Sequence, residues 1–345
     1  MKLRLALLFL TVNSMASFPV YGQAPNFQGK TMHIVVGTVA GDLYDLYARA
    51  IALFMGKYLP GNPNIIVQNM PGAGSAVAAN YAFSVAKPDG LTTVVTNAGL
   101  YFDQLLGRKE VQSDWAKFTW IGSTTRSYPL MYMAAKSPYA NMNDVRTAAT
   151  PPKCGSTGTG NSGYYIPKLL EETIGAKFQI VSGYQGGADV DLAAERGEIQ
   201  CRAISIPVYF SREPYHTWRK TGFARVLMQM SKKRDPRIAD TPTLNELMDQ
   251  YQTPAASRRL ANVIQGTADF GAFPMMAPPN LPAEYVKTLR AAFVKSVNDP
   301  ELLAEAKKKS MDVELITGDE IEALAKEVMN QPAEIIGRLK KLLGE

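Results

Sequence analysis

The chain has only two histidines and two cysteines among 345 residues, and that scarcity removes several chemistries at the outset. His33 lies inside a β-branched run and reads as a satisfied core or edge histidine, while His216, among Tyr215, Trp218 and Arg219, reads as a surface one. A hydroxyl nucleophile would therefore have no evident imidazole base. No G-x-S-x-G occurs, since Ser162 has Gly at 160 and 163 only. The cysteines and histidines are not at zinc spacing, so neither a metal nor a cofactor is expected. Tryptophan is equally sparse: Trp115, Trp120 and Trp218 read as core or rim residues before a sugar-stacking platform.

Long apolar runs are missing too. Leu3 to Val12 is the longest candidate, ten residues against the ~20 needed to span a bilayer. With the basic Lys2 and Arg4 at its start and the small-x-small Gly22-Gln23-Ala24 after it, residues 1–24 read as a secretory signal, with cleavage near Ala24. Setting Lys2 and Arg4 aside leaves 35 basic against 31 acidic residues, a net charge of +4 spread along the chain. No basic stripe for nucleic acid results. Export also permits a disulfide. Cys154 and Cys201 allow a single connectivity, worth up to ~4 kcal/mol in the chain-entropy model, with two buried free thiols as the other reading.

What is present reads as α/β. His33-Ile34-Val35-Val36 is a strand that breaks at Gly37, and Leu43, Leu46, Tyr47, Ala50 and Ile51 fall at helical spacing behind an N-cap at Asp42. Asp45 places a second carboxylate in the first turn, where free N–H groups want acceptors. A strand at Asn64 to Asn69 completes a βαβ unit and implies a parallel sheet. Another strand is expected at Leu91 to Thr96, ending at Asn97, whereas residues 100–125 look irregular apart from anchors at Trp115, Phe118 and Trp120. A second α/β unit begins near Tyr128. Further on, the pattern predicts a strand from Arg225, a crossing segment over Arg258 to Gln265, and helices over Ala283 to Val297, Pro300 to Ser310 and Gly318 to Leu343.

Gly155-Ser156-Thr157-Gly158-Thr159-Gly160-Asn161-Ser162 is the richest donor cluster. It follows a strand and opens a helix, the position where open α/β sheets bind ligands. Backbone N–H groups with Thr and Ser hydroxyls suit a carboxylate. Its glycines run opposite to the dinucleotide fingerprint. Gly29-Lys30-Thr31 has Ala24 where a P-loop needs Gly, and it precedes its strand.

Several longer motifs then carry a resemblance over nearly the whole mature chain. Tyr44-Asp45-Leu46-Tyr47-Ala48-Arg49, Pro60-Gly61-Asn62-Pro63, Val67 to Ser75, Pro88-Asp89-Gly90, Gly155 to Ser162, Tyr184-Gln185-Gly186-Gly187 with Glu195-Arg196-Gly197-Glu198, and Ala277-Pro278-Pro279 occur in that order. The chain resembles the Bug/TctC-type periplasmic solute-binding proteins of tripartite tricarboxylate transport systems. The resemblance implies a two-lobed type II periplasmic binding protein fold, with two Rossmann-like domains and a ligand cleft between them. It divides the chain into 25–125 plus 226–345 as one domain and 126–225 as the other. Carried over by position, the cleft would be lined by Gly41, Asp42, Leu43, Tyr44 and Asp45, by Asn97, by Thr157, Thr159, Gly160, Asn161 and Ser162, and by Tyr184, Gly186, Gly187 and Ser205. The implied role is that of a monomeric, non-enzymatic periplasmic receptor that takes a small organic acid to membrane transporter subunits or to a sensor. An exported hydrolase of small esters using Ser162 is the alternative. Consecutive glycines usually precede the position of Tyr44, and here Asp42 and Leu43 stand there. That departure puts a citrate-like ligand in doubt and sets a smaller, less charged or partly aromatic acid on an equal footing with it.

Overall fold

A computed structural model describes residues 25–343 except 42, 157–161, 185, 186, 212 and 310. The first stretch runs β1 (Thr31–Val36), α1 (Leu43–Met55), β2 (Asn64–Asn69), α2 (Ala76–Ser84), β3 (Thr92–Val95), α3 (Leu100–Leu106) and β4 (Thr119–Ser123). The second runs β5 (Pro129–Ala134), α4 (Met142–Thr147), β6 (Lys153–Ser156), α5 (Ser162–Ile174), β7 (Gln179–Ser182), α6 (Gly187–Glu195), β8 (Cys201–Ser205), α7 (Ile206–Ser211), α8 (Tyr215–Thr221) and β9 (Ala224–Gln229). The chain returns through α9 (Leu244–Gln250) and α10 (Ala255–Asp269). It finishes with β10 (Met275–Ala277), α11 (Ala283–Val297), α12 (Pro300–Lys308), β11 (Ile316–Thr317), α13 (Gly318–Met329) and α14 (Ala333–Leu343).

Two sheets result, ordered β11-β4-β10-β3-β1-β2 and β7-β6-β8-β5-β9. Each lobe has the same plan. In the first, β2, β1, β3 and β4 run one way and β10 is inserted antiparallel between β3 and β4. In the second, β7, β6, β8 and β9 run one way and β5 is the antiparallel insert. The inserted strand in each lobe is the one the chain enters after crossing from the other, so two crossings stitch the sheets together. Val35, Val36, Val94 and Val95 are buried on both faces, which is what interior parallel strands under helices require.

Sheet pairing moves one boundary. The strand from Arg225 pairs along β5, Leu130 to Gln229 and Ala134 to Ala224, so the second lobe keeps β9 and the chain leaves that sheet after Gln229 instead of at 225. Two other expectations are corrected. Residues 100–125 contain α3 and β4, and the helix expected over Gly318 to Leu343 is two helices parted at Gln331-Pro332, because Pro332 has no N–H to continue the ladder.

All three tryptophans are buried. Trp115 and Trp120 lie 4.8 Å apart by ring centroid, and Phe270 at the end of α10 packs on both at 5.5 and 5.7 Å. This aromatic knot fixes the second crossing to β4. Gly271 passes so close to Ser123 that a Cβ would lie 2.2 Å from its Oγ, and its φ of +86° is glycine's own. Cys154 and Cys201 are disulfide-bonded between the neighbouring strands β6 and β8. Among the described residues no helix is long and apolar enough to cross a membrane, and no group of His, Cys, Asp and Glu could hold a metal ion.

Candidate functional site

Ligand positions in open α/β sheets lie beyond the carboxyl ends of the parallel strands, and in the first lobe the loops at those ends line a cavity that Tyr165 of the second lobe also lines. In the first lobe three such loops converge. Gly37, after β1, approaches Ser75 so closely that a Cβ would fall 2.5 Å from Ser75 Cβ, and Ser75 Oγ accepts the N–H of Asn97, after β3, at 3.3 Å. Asn97 turns its Oδ1 onto the Gly99 N–H at 2.9 Å. Its outward donor is then the amide nitrogen.

The loop that opens α1 is held from behind by Asp45. Its Oδ2 accepts from Gly41 N at 2.8 Å and Arg49 Nε at 2.9 Å, and its Oδ1 from Asn69 Nδ2 at 3.0 Å. The same Asn69 nitrogen donates to the Thr38 carbonyl at 3.1 Å. The bond from Arg49, backed by those from Gly41 and Asn69, lowers the Asp45 pKa to about 2 against the cost of burial. Asp45 is only 2 % exposed. It shapes the loop as a clasp and does not line the cavity.

A cavity of about 410 Å³ opens between the lobes. From the first lobe it is lined by Leu43, Tyr44, Gly74, Asn97 to Gly99 and Phe102, from the second by Tyr165 on α5, and from the crossings by Ser127, Thr267, Ala272 and Phe273. Tyr44 meets Phe273 edge-on at 4.9 Å, and Tyr47 stacks on the same ring at 4.2 Å. Tyr47 is itself anchored through its hydroxyl to the Asp312 carbonyl at 2.8 Å. This makes one wall aromatic and stiff. Burial pushes the Tyr165 phenol up to about 12, so it stays neutral at ordinary pH. Among the described lining residues Asp103 pairs with Arg108 at 3.2 Å.

Of the residues carried over by resemblance, Leu43, Tyr44 and Asn97 line this cavity. Asp42, Thr157, Thr159, Gly160, Asn161 and Gly186 lie outside the described residues. Ser162, Tyr184, Gly187 and Ser205 frame the loops that follow β6, β7 and β8 and are absent from the described lining. Ser162 Oγ donates to the Ala203 carbonyl at 2.9 Å and ties α5 to β8. Tyr184 covers Gly155, where a Cβ would sit 3.6 Å from the tyrosine ring. Gly187 opens α6, and Ser205 Oγ accepts the Val208 N–H at 3.4 Å. His216, expected at the surface, is half-buried with Nε2 2.7 Å from the Phe210 carbonyl.

Phe102, Tyr165 and Phe273 escaped sequence reasoning. Phe102 and Leu106 do stand at i and i+4 on α3, a helical signal hidden in the stretch read as irregular. No local signal marks Phe273 or Tyr165, which reach the cleft through tertiary placement.

Two lobes of matching topology, joined by two crossings around a cleft at their strand ends, define a solute-binding protein. The chain belongs to the tripartite tricarboxylate transporter receptor family, whose model it matches over residues 47–341, and it is accordingly a receptor and not an enzyme. Among solved structures it is similar to a TctC solute-binding protein from Polaromonas at 22 % identity, covering 92 % of this chain and all of that one, with a TM-score of 0.73. It is also similar to an R. palustris protein solved with adipate, at 17 % identity over 91 % of this chain and 97 % of that one, TM-score 0.60. The malate-bound MatC of Rhodopseudomonas palustris is 20 % identical over 91 % and 98 %, TM-score 0.57. At these identities the likeness speaks for the two-lobed fold.

Proposed function

We propose that the protein is an exported periplasmic receptor that captures a small carboxylate in the interlobe cavity and delivers it to a tripartite tricarboxylate-type membrane transporter. The observation that carries the reading is the cavity itself, set at the carboxyl ends of β1 and β3 and roofed by Tyr165 of the other lobe. Its donors are the Asn97 amide and loop backbone, a set suited to a carboxylate. Family membership supports the delivery step, and the adipate and malate held by two fold relatives support the ligand class. The lobes close over the ligand by hinge motion at the crossings.

Titration calorimetry of the mature chain against a panel of mono-, di- and aromatic carboxylates tests this. Saturable one-to-one binding, with no hydrolysis of the matching esters, is the expected result. Failure of every acid to bind would remove the carboxylate reading. Ligand uptake by vesicles carrying the membrane subunits, dependent on added receptor, tests the delivery step.

A further inference from the structure

We infer that the protein carries a second anion site, separate from the ligand cavity and formed where the crossings pass between the lobes, and that it takes a phosphate-class oxyanion. The groove there consists of two adjoining cavities, each of about 380 Å³, that share Pro207 on α7 of the second lobe, Asp312 and Val313 of the first, and Arg237 after β9. The first crossing, residues 124–128, divides this groove from the ligand cavity. Thr125, Arg126 and Tyr128 line the groove, while Ser127 between them lines the ligand cavity. Among the described residues none lines both.

The groove is rich in cations. Arg126, Lys233, Arg234, Arg237 and Lys307 stand in its lining against the carboxylates of Asp235, Asp312 and Glu314. Some of these charges are already matched: Arg237 holds Asp235 at 2.7 Å and reaches Asp312 at 3.6 Å, and Arg234 holds Glu246, outside the lining, at 3.0 Å. Lys233 and Lys307 have no ion pair among the described residues.

Arg126 is the residue that points to a ligand. Its Nε lies 3.4 Å from Glu314 Oε1, on a side chain that is itself 59 % exposed, whereas its Nη1 is buried and has no hydrogen-bond partner among the described residues. A guanidinium N–H buried without an acceptor costs free energy that an oxygen placed against it recovers. The planar fork of arginine matches phosphate oxygens, and lysines on other elements add point charges to the same anion. A tetrahedral oxyanion offers acceptors in several directions, so cations from the first crossing, the return after β9 and α12 can share it.

Titration calorimetry of the mature chain with inorganic phosphate, at neutral pH and at an ionic strength held constant with chloride, tests the site. Saturable one-to-one binding is expected. Arg126→Gln should weaken it about tenfold or more, and Lys233→Gln combined with Lys307→Gln should weaken it severalfold. Glu314→Gln, at an exposed position, removes the carboxylate that competes for Arg126 and should tighten phosphate about threefold. Asn97→Ala, in the ligand cavity, should leave phosphate affinity within about twofold. Binding lost in Asn97→Ala and kept in Arg126→Gln would put the anion in the ligand cavity and overturn the inference. Heats that vanish at constant ionic strength would overturn it as well, since they report screening without a site. Should Arg126→Gln fail to fold, unchanged or weaker phosphate binding in the folded Glu314→Gln protein overturns the inference equally.

Discussion

Arg202 Nη1 donates to the carbonyl of Gly187 at 2.8 Å, so a buried guanidinium on β8 fixes the residue that opens α6. The same nitrogen meets Asp191 Oδ1 at 2.6 Å, and Asp191 Oδ2 accepts from Tyr215 Oη at 2.6 Å. Arg202 is 7 % exposed and Asp191 2 %. The α6 end of the second-lobe jaw is thereby tied to a charge pair in the core.

Gly187→Ala would place a Cβ 2.6 Å from Arg202 Nη2 and must displace either the guanidinium or the loop. We expect weaker ligand binding with a modest loss of stability, about 1–3 kcal/mol as for an overpacked site. Asp191→Ala leaves Arg202 buried and unpaired and is expected to cost about 3–5 kcal/mol in urea unfolding. A loss under about 1 kcal/mol in the second variant would mean that Arg202 finds another partner or water.

Asp45 offers a pH test with a definite sign. Its folded pKa, about 2, lies below the unfolded value of about 3.9, so its contribution is full above the unfolded value and fades as pH falls toward the folded one. Asp45→Asn is therefore expected to be less stable at neutral pH by about 2 kcal/mol, and the gap to wild type should narrow between about pH 4 and about pH 2. Melting curves of both proteins across that range check this. A gap that stays constant with pH would show that the amide loses packing and not charge.

How much of this was legible in the sequence divides along physical lines. Strands such as Val35-Val36 and Val94-Val95 declare themselves, because β-branched residues buried on both faces leave continuous apolar runs. The disulfide was readable as a pair because only two cysteines exist. The three-residue β10 was not, since Met275-Met276-Ala277 carries no alternation and becomes a strand only by insertion between β3 and β4. In the site, Leu43, Tyr44 and Asn97, which line the cavity, came by position from the family resemblance and from no pattern of their own. The role of Asp45 did not, because an acidic residue in a first helical turn looks the same whether it faces a ligand or reaches back to Gly41 and Asn69. Phe273 belongs to the cleft only because the Trp120–Phe270 contact sets where the second crossing runs.

The Cys154–Cys201 bond closes a separation of 47 residues. Replacing both cysteines with alanine, or unfolding in reductant, is expected to lower stability by about 4 kcal/mol in the chain-entropy model, within the 2–5 kcal/mol range typical of native bonds. The order of ligand affinities should be unchanged, since neither cysteine lines the cavity. Coincident urea transitions with and without reductant would count against a stabilising bond.

The hinge converges on one carboxylate. Tyr128, on the first crossing, donates to Asp269 Oδ1 at 2.6 Å, and Lys232, at the start of the return, meets Asp269 Oδ2 at 3.0 Å. Asp269 itself ends α10, just before the chain re-enters the first lobe. Beside it, Ala272 N donates to the Thr125 carbonyl at 2.7 Å and Met230 N to the Pro129 carbonyl at 2.8 Å, so backbone bonds hold the crossings together if the side chain is removed. Asp269→Ala should therefore stay folded, losing about 1–3 kcal/mol for the unsatisfied Tyr128 hydroxyl, while the lobes gain freedom relative to each other. Small-angle scattering of the ligand-free variant is expected to show a larger and broader radius of gyration than wild type, with ligand restoring the compact value. Burial and the bond to Asp269 push the Tyr128 phenol far up, so the difference should not change between about pH 6 and about pH 9. Superposable scattering curves for variant and wild type would show that the backbone crossings alone set the angle between the lobes.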